Sequence, residues 1–214
     1  MPRIVETTVF RLDELSDGAK EQARAWYRET APGDDWHECV FDDFETICAI
    51  LGVRLKTRTV RLFGGGMRQK PCIWFSGFSS QGDGASFEGA YCFAKGARTA
   101  IRAHAPQDGE LHRIADALQV VQHRNFYQLR AEASQRGRGC DEYSMSITVE
   151  RDTPTNQQMT ADAEDTVVEL LRDLARWLYR QLEREYDYQT SDTVTDEAIL
   201  ANEYTFTDDG RRFG

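Results

Sequence analysis

The sequence lacks any apolar run long enough to cross a lipid bilayer, which takes about 20 consecutive residues. Its first residues, Met1 to Glu6, also lack the charged head and apolar stretch that mark a secretory signal. Hydrophobic residues make up 40% and charged residues 29% of the 214 positions, a composition typical of globular proteins. We therefore expect a cytoplasmic protein that does not contact a membrane.

Cysteine and histidine are too few and too scattered for a metal site. The five cysteines are an odd set without a C-x-x-C pair, so we expect reduced, mostly buried thiols. The nearest ligand pair, His37 and Cys39, lies two residues apart on a predicted helix, where the side chains point about 200° apart. A structural zinc site draws on four closely spaced ligands. The sequence therefore predicts no metal and no cofactor.

The sequence also contains no reaction signature. No Gly-Lys-Ser/Thr follows a glycine-rich loop as in a P-loop, and no G-x-S-x-G motif presents a serine nucleophile. Cys72 and Cys92 lie in apolar strand contexts, where thiols are usually inert. The histidines fit helix surfaces better than a catalytic pair. These absences favour a binding protein over an enzyme.

One polar stretch, residues 76–89, combines four glycines, four serines, two carboxylates and a glutamine between aromatic-rich strands. Glycines allow successive backbone amides to point at an anion, and the serines add donors. The alternative is a tight turn whose Asp and Ser side chains bond nearby backbone groups. The candidates for binding a ligand or partner are Ser79, Ser80, Gln81, Asp83, Ser86 and Glu88.

The net charge of −10 is unevenly distributed. Residues 53–160 hold 10 acidic and 15 basic side chains, whereas both flanking segments are acidic. An acidic total argues against direct nucleic-acid binding, because affinity for phosphates depends on clustered Lys and Arg. Acidic helices either present carboxylates to a basic partner or simply solvate their outer faces. The acidic-face candidates are Asp34, Asp35, Glu38, Asp42, Asp43, Glu169 and Asp173.

Apolar periodicity predicts the secondary structure. The predicted strands cover 3–12, 53–59, 72–75, 87–93, 126–130 and 143–149. The predicted helices cover 16–29, 34–51, 95–105, 108–121 and 162–186, followed by a tail with a short helix and a final strand. Because the strands occur as neighbours, we expect an α+β fold with a mostly antiparallel sheet, helices packed on one face and a long C-terminal helix. One domain over 1–214 is expected, with 161–214 as a candidate C-terminal helical extension.

Four runs carry a resemblance: Phe10 to Ser16, Ser76 to Phe87, Leu111 to Ala115 and Ala201 to Phe206. Together they resemble a family of uncharacterised phage and prophage proteins, sometimes labelled antitoxin-like. The resemblance implies a phage-encoded acidic binding protein in the cytoplasm of the host bacterium. Its expected partner is a host protein or nucleoprotein complex with a basic surface, and inhibition of a CRISPR-type defence is one expected role. The alternatives are an enzyme that processes nucleotides or phosphoesters at the 76–89 loop, and an antitoxin that neutralises a partner toxin.

Overall fold

The computed structural model describes residues 3, 6–30, 33, 35–137, 139–155 and 157–214. The helices are α1 Asp17–Thr30, α2 Glu38–Leu51, α3 Ala97–His104, α4 Gly109–Arg124, α5 Ala163–Gln189 and α6 Asp192–Ala201. The strands are β1 Val53–Leu55, β2 Thr57–Arg61, β3 Met67–Pro71, β4 Ile73–Phe75, β5 Ala85–Phe87, β6 Gly89–Cys92, β7 Leu129–Gln135, β8 Met145–Arg151, β9 Thr205–Phe206 and β10 Arg212–Phe213. None of the helices in this part of the chain combines the length and apolar character that spanning a membrane requires.

The chain divides into two compact units. A central unit comprises Cys39–Leu182, and a terminal unit combines Met1–Glu38 with Glu183–Gly214. The predicted α+β class with antiparallel strands and a long C-terminal helix is confirmed. One domain over the whole chain stays a prediction.

The central unit is built on a four-stranded antiparallel sheet with the order β1-β6-β7-β8. Side chains alternate across it, so that Tyr91 and Ala131 are buried while Ala90 and Glu132 are exposed. The helices cover the buried face; for example, Gln122 of α4 donates to the Tyr91 hydroxyl at 3.2 Å. Burial raises the pKa of Tyr91 to about 12. The opposite face of the sheet is open to solvent.

Asp108 fixes the start of α4, as its sequence position before an apolar stripe predicts. Its Oδ1 accepts hydrogen bonds from the backbone amides of Glu110 at 3.1 Å and Leu111 at 2.9 Å. Its Oδ2 accepts from Nε1 of Trp177 in α5 at 2.7 Å. One carboxylate therefore caps one helix and ties it to another.

Two short hairpins extend the central unit, β2 with β3 and β4 with β5. The strand predicted over 53–59 is divided between β1 in the main sheet and β2 in a hairpin. The division falls at Lys56, whose amide donates to the Glu88 carbonyl at 2.9 Å and whose carbonyl accepts from the Cys72 amide at 2.7 Å. The single strand expected here is corrected, because these bonds turn the chain from one sheet into another.

Three further strand predictions differ from the structure. The strand expected over 87–93 is divided between β5, which pairs with β4, and β6, which pairs in the main sheet. Among the described residues of the segment 3–12, only Phe10 forms a bridge, with Phe206, and Leu12–Glu14 is a 3-10 helix. The strand expected from residue 126 begins at Leu129, because Phe126 and Tyr127 adopt positive φ angles of 56° and 62° in the preceding turn. Strand propensity of aromatic side chains is overridden there by the turn.

The terminal unit joins both ends of the chain in one small core. Arg24 of α1 forms two hydrogen bonds of 2.7 Å with the carboxylate of Asp196 in α6. This pairing lowers the pKa of Asp196. The buried residues of the core are Leu12, Leu15, Ala19, Ala23, Ile199 and Phe206. Residues distant in sequence thus form one unit, which periodicity alone does not indicate.

Candidate functional site

The expected 76–89 loop is shorter in the structure: residues 76–84 connect β4 to β5, whereas the rest of the stretch forms β5 and the start of β6. The connecting part is closed by hydrogen bonds among its own residues. Oδ2 of Asp83 accepts from the backbone amides of Ser79 at 3.0 Å and Ser80 at 2.7 Å. Below it, the Ser76 amide donates to the Gly84 carbonyl at 3.0 Å, and the Gly84 amide donates to Ser76 Oγ at 3.2 Å. The carboxylate is therefore occupied by the loop itself, as the tight-turn alternative predicts.

The electrostatics of the loop agree with this geometry. The hydrogen bond from the Ser80 amide, followed by that from Ser79, lowers the pKa of Asp83. The amides that would have to face an anion point at this carboxylate instead. A negative group already fills the centre of the loop, so the loop gives no support to a phosphate cradle.

The other loop candidates lie in three different environments. Ser79, Ser80 and Gln81 are exposed and available to a partner. Ser86 is fully buried in β5, and its hydroxyl has no hydrogen-bond partner in the structure. Glu88 binds the Lys56 amine at 2.7 Å and the Gln135 amide at 3.2 Å, and the Lys56 bond lowers its pKa. The six side chains therefore do not converge on one site, and Ser86 lies out of reach of a partner in solution.

We expect Asp83→Ala to lower the urea midpoint of unfolding, because it leaves two loop amides without their acceptor. The pKa of Asp83 is lowered in the folded state, so its contribution is complete above the ordinary carboxyl pKa of about 4 and is lost as pH falls through the lower folded value. Denaturation of both proteins at several pH values measures the difference.

The exposed Gln81→Ala is the matched control from the same loop and should leave the midpoint unchanged. A midpoint difference between Asp83→Ala and the parent protein that stays constant as the medium becomes acidic would contradict the carboxylate's role.

The acidic-face candidates are only partly available. Asp35 and Asp42 are exposed, Glu38 is half-buried, and Asp34 lies outside the described residues. Asp43 Oδ1 lies 2.7 Å from His104 Nε2. Two of the seven are thus exposed and unobstructed by an ion pair among the described residues.

On α5 the carboxylates are paired inside the central unit. Glu169 binds Arg176, and Asp173 binds Arg113 and Arg176 at 2.6 Å each. Burial alone would raise the pKa of Asp173, but the hydrogen bonds from Arg176 and Arg113 outweigh it and lower the pKa. These two charges serve the protein's own ion-pair network.

Strand β3, and with it the pairing that makes the basic β2–β3 hairpin, is the feature that sequence reasoning missed. From Val53 to Pro71 the chain carries six basic side chains and no acidic one. At the turn, Leu62 is 46% exposed, Met67 is 75% exposed and Phe63 is fully exposed. We call these three residues the apolar tip. The three consecutive glycines before Met67 were a visible turn signal, but the exposure of Phe63 depends on which strands pair.

The cysteines divide differently from the expectation. Cys48 and Cys72 are buried, and burial raises the pKa of both thiols. Cys39 and Cys92 are exposed, so the prediction of mostly buried thiols is wrong. Cys92 points outwards because side chains alternate along β6. Within the residues that the structure describes, no three His, Cys, Asp or Glu side chains group in a way that suits a metal ion.

Comparisons with known proteins add one finding. Neither the curated proteins nor the solved structures contain a match. The model of a domain of unknown function, DUF8835, matches residues 36–192, which include the whole central unit. Because the match covers well over half of the chain, the protein belongs to the DUF8835 family.

Proposed function

We propose that this protein is a binding protein that attaches to a macromolecular partner through the β2–β3 hairpin. The observation that carries the proposal is the apolar tip, which exposes Leu62, Phe63 and Met67 at the end of a two-stranded hairpin. The partner class implied by the phage resemblance, a host protein or nucleoprotein complex, remains part of the proposal.

The apolar tip can stabilise a complex by burying its side chains against a partner. Burying a side chain such as Phe or Leu stabilises a contact by about 1.5–3 kcal/mol. The turn that presents it is internally bonded: the Leu62 amide donates to the Gly66 carbonyl at 2.8 Å, and the Gly65 amide donates to the Leu62 carbonyl at 2.9 Å. A turn held in one conformation loses little entropy when it binds.

The paired strands β2 and β3, which we call the hairpin stem, determine the charge of the expected partner. Arg58 pairs in register with Lys70, Val60 with Arg68 and Arg61 with Met67, so basic side chains lie on both faces. With no carboxylate in either strand, the stem complements acidic groups around an apolar pocket. This is the opposite of the basic partner surface expected from the acidic helices.

The alternatives receive less support from the geometry. The pairing of Glu169 and Asp173 with arginines weakens the acidic-face mode of binding. The occupied Asp83 carboxylate weakens the phosphoester enzyme. An antitoxin would also be a binding protein, and rescue of cells that co-express a toxin would separate that role from inhibition of a host complex.

We expect Phe63→Ser to reduce partner capture by about 10-fold or more, the equivalent of losing one buried aromatic anchor. Its stability should change little, because Phe63 is fully exposed. The measurement is quantitative recovery of protein and nucleic acid on the tagged full chain from bacterial lysate.

Val120→Ser is the matched control, since Val120 is an apolar residue of α4 that is 52% exposed. The proposal predicts a partner that the parent and the control retain and that Phe63→Ser loses. Identical recovery on all three proteins, including recovery of nothing specific, would overturn the hairpin as the binding surface. Retention should also decrease with salt, because the stem is basic.

A further inference from the structure

The open face of the four-stranded sheet carries a trough that the hairpin does not share. It has a volume of about 490 Å³, which lies within the range of small-molecule sites. Its floor is formed by the small side chains of Ala90 and Cys92 on β6. Longer charged side chains lie on both sides of this floor. The alternation of small and long side chains across the strands therefore produces the trough.

The strand register places opposite charges on the two sides of the trough. Arg54 on β1 pairs with Ala90 on β6, and Ala90 pairs with Glu132 on β7. In the next row, Arg130 on β7 pairs with Glu150 on β8. The β1 side is therefore cationic, and the β7–β8 side carries two carboxylates together with Arg130, whose charge is offset by Asp152.

Three of these charges form no ion pair, while neighbouring charges do. Arg130 binds Asp152 at 2.6 Å, and Lys56 binds Glu88 at 2.7 Å. Across the residues given positions in the structure, Arg54, Glu132 and Glu150 form no such ion pair with a side chain. A ligand with an anion at one end and a cation at the other complements them.

The spacing fits a short peptide. Arg54 and Glu132 are separated by two interstrand distances, about 10 Å between Cα atoms. An extended chain spans about 3.3–3.6 Å per residue, so a tripeptide is about as long as the separation of the two strands that carry these side chains. We propose that the trough binds a tripeptide with free ends, its carboxylate on Arg54 and its ammonium on Glu132 and Glu150.

A second cavity specifies one side chain of this ligand. It has a volume of about 440 Å³ and shares Arg54 and Cys92 with the trough. Its other walls include the apolar Ala49 and Leu55 and, on the α2 side, the carboxylate of Glu45. Because this cavity lies beside Arg54, it receives the side chain at the carboxyl end of the peptide, and an apolar residue is favoured there.

The floor thiol provides the test. With Gly-Gly-Leu as the probe, alkylation of Cys92 in the full chain should slow several-fold as the peptide saturates the trough, while alkylation of the exposed Cys39 stays constant. Peptide mass spectrometry follows both thiols in one sample. N-acetyl-Gly-Gly-Leu amide, which lacks both charges, should give no protection.

The variants Arg54→Gln and Glu132→Gln should each weaken protection by about 10-fold, the effect of losing a hydrogen bond to a charged group. The exposed Glu164→Gln on α5 should not change it. Either of two results would overturn the proposal. One is the absence of protection up to about 10 mM peptide, a concentration above the Kd of ordinary specific binding. The other is equal protection by the blocked peptide. Neither outcome bears on the hairpin, whose test uses other residues.

Discussion

Gly52→Ala should lower the free energy of unfolding of the central unit by about 3 kcal/mol, from left-handed strain and backbone overlap together. Gly52 follows the last residue of α2 with a φ of +90°, the usual glycine position at a helix end. A Cβ atom there would lie 2.1 Å from the Cys92 carbonyl oxygen. The Gly52 carbonyl also accepts from the Cys92 amide at 3.0 Å.

A small shift cannot remove the overlap between a Cβ atom at Gly52 and the Cys92 carbonyl oxygen. The obstructing atom is backbone and belongs to a strand paired on both sides, so moving it disturbs the sheet register. Gly64→Ala is the control, because a Cβ atom at Gly64 meets nothing within 4 Å and its φ is not positive. Urea denaturation followed by circular dichroism compares the two; equal midpoints would contradict the close approach of α2 and β6.

Gln122→Met is expected to cost about 3 kcal/mol, since buried polar groups left unsatisfied cost about 1–3 kcal/mol each. The Gln122 side chain is fully buried. Its Nε2 donates to the Leu129 carbonyl at 2.8 Å, and its Oε1 accepts from the Leu129 amide at 3.2 Å. Leu129 lies one residue before Arg130, the first β7 residue paired with β6. The side-chain amide thus takes the place of a strand partner.

Methionine keeps the volume of Gln122 but removes both hydrogen-bonding groups. Gln119→Met is the control on the same helix, because Gln119 makes only a long contact of 3.4 Å with the Tyr127 hydroxyl. In denaturant unfolding, the free energies of unfolding of the two variants should differ by most of the predicted cost. If Gln122→Met unfolds at the same urea concentration as Gln119→Met, the amide does not serve as a strand partner.

The sequence predicted features that depend on near neighbours. Ser16 and Asp108 stand at the starts of α1 and α4, and the apolar stripe of α2 includes the buried Phe44, Ile47 and Cys48. Local hydrogen bonding and helical periodicity act over a few residues, so a single sequence contains them.

Features that depend on distant pairing were not predictable in the same way. The basic run around Arg58 is visible, but its separation from the main sheet is set by bonds of Lys56 to Glu88 and Cys72. The 76–89 loop shows the complementary difficulty. Its composition suits both an anion site and a self-bonded turn, and only the position of the Asp83 carboxylate distinguishes them.

The joining of both chain ends in the terminal unit sets an order of events during synthesis. The central unit, Cys39–Leu182, is contiguous and has all of its strands before the last segment emerges. The core around Ala23 cannot form until Ile199 and Phe206 have been synthesised. At a usual rate of about 5–20 residues per second, synthesis from Ala23 to Phe206 takes roughly 9–37 s. Loss of residues 199–214, which include Ile199 and Phe206, would therefore leave Ala23 and its neighbours without their core, although they are made earlier.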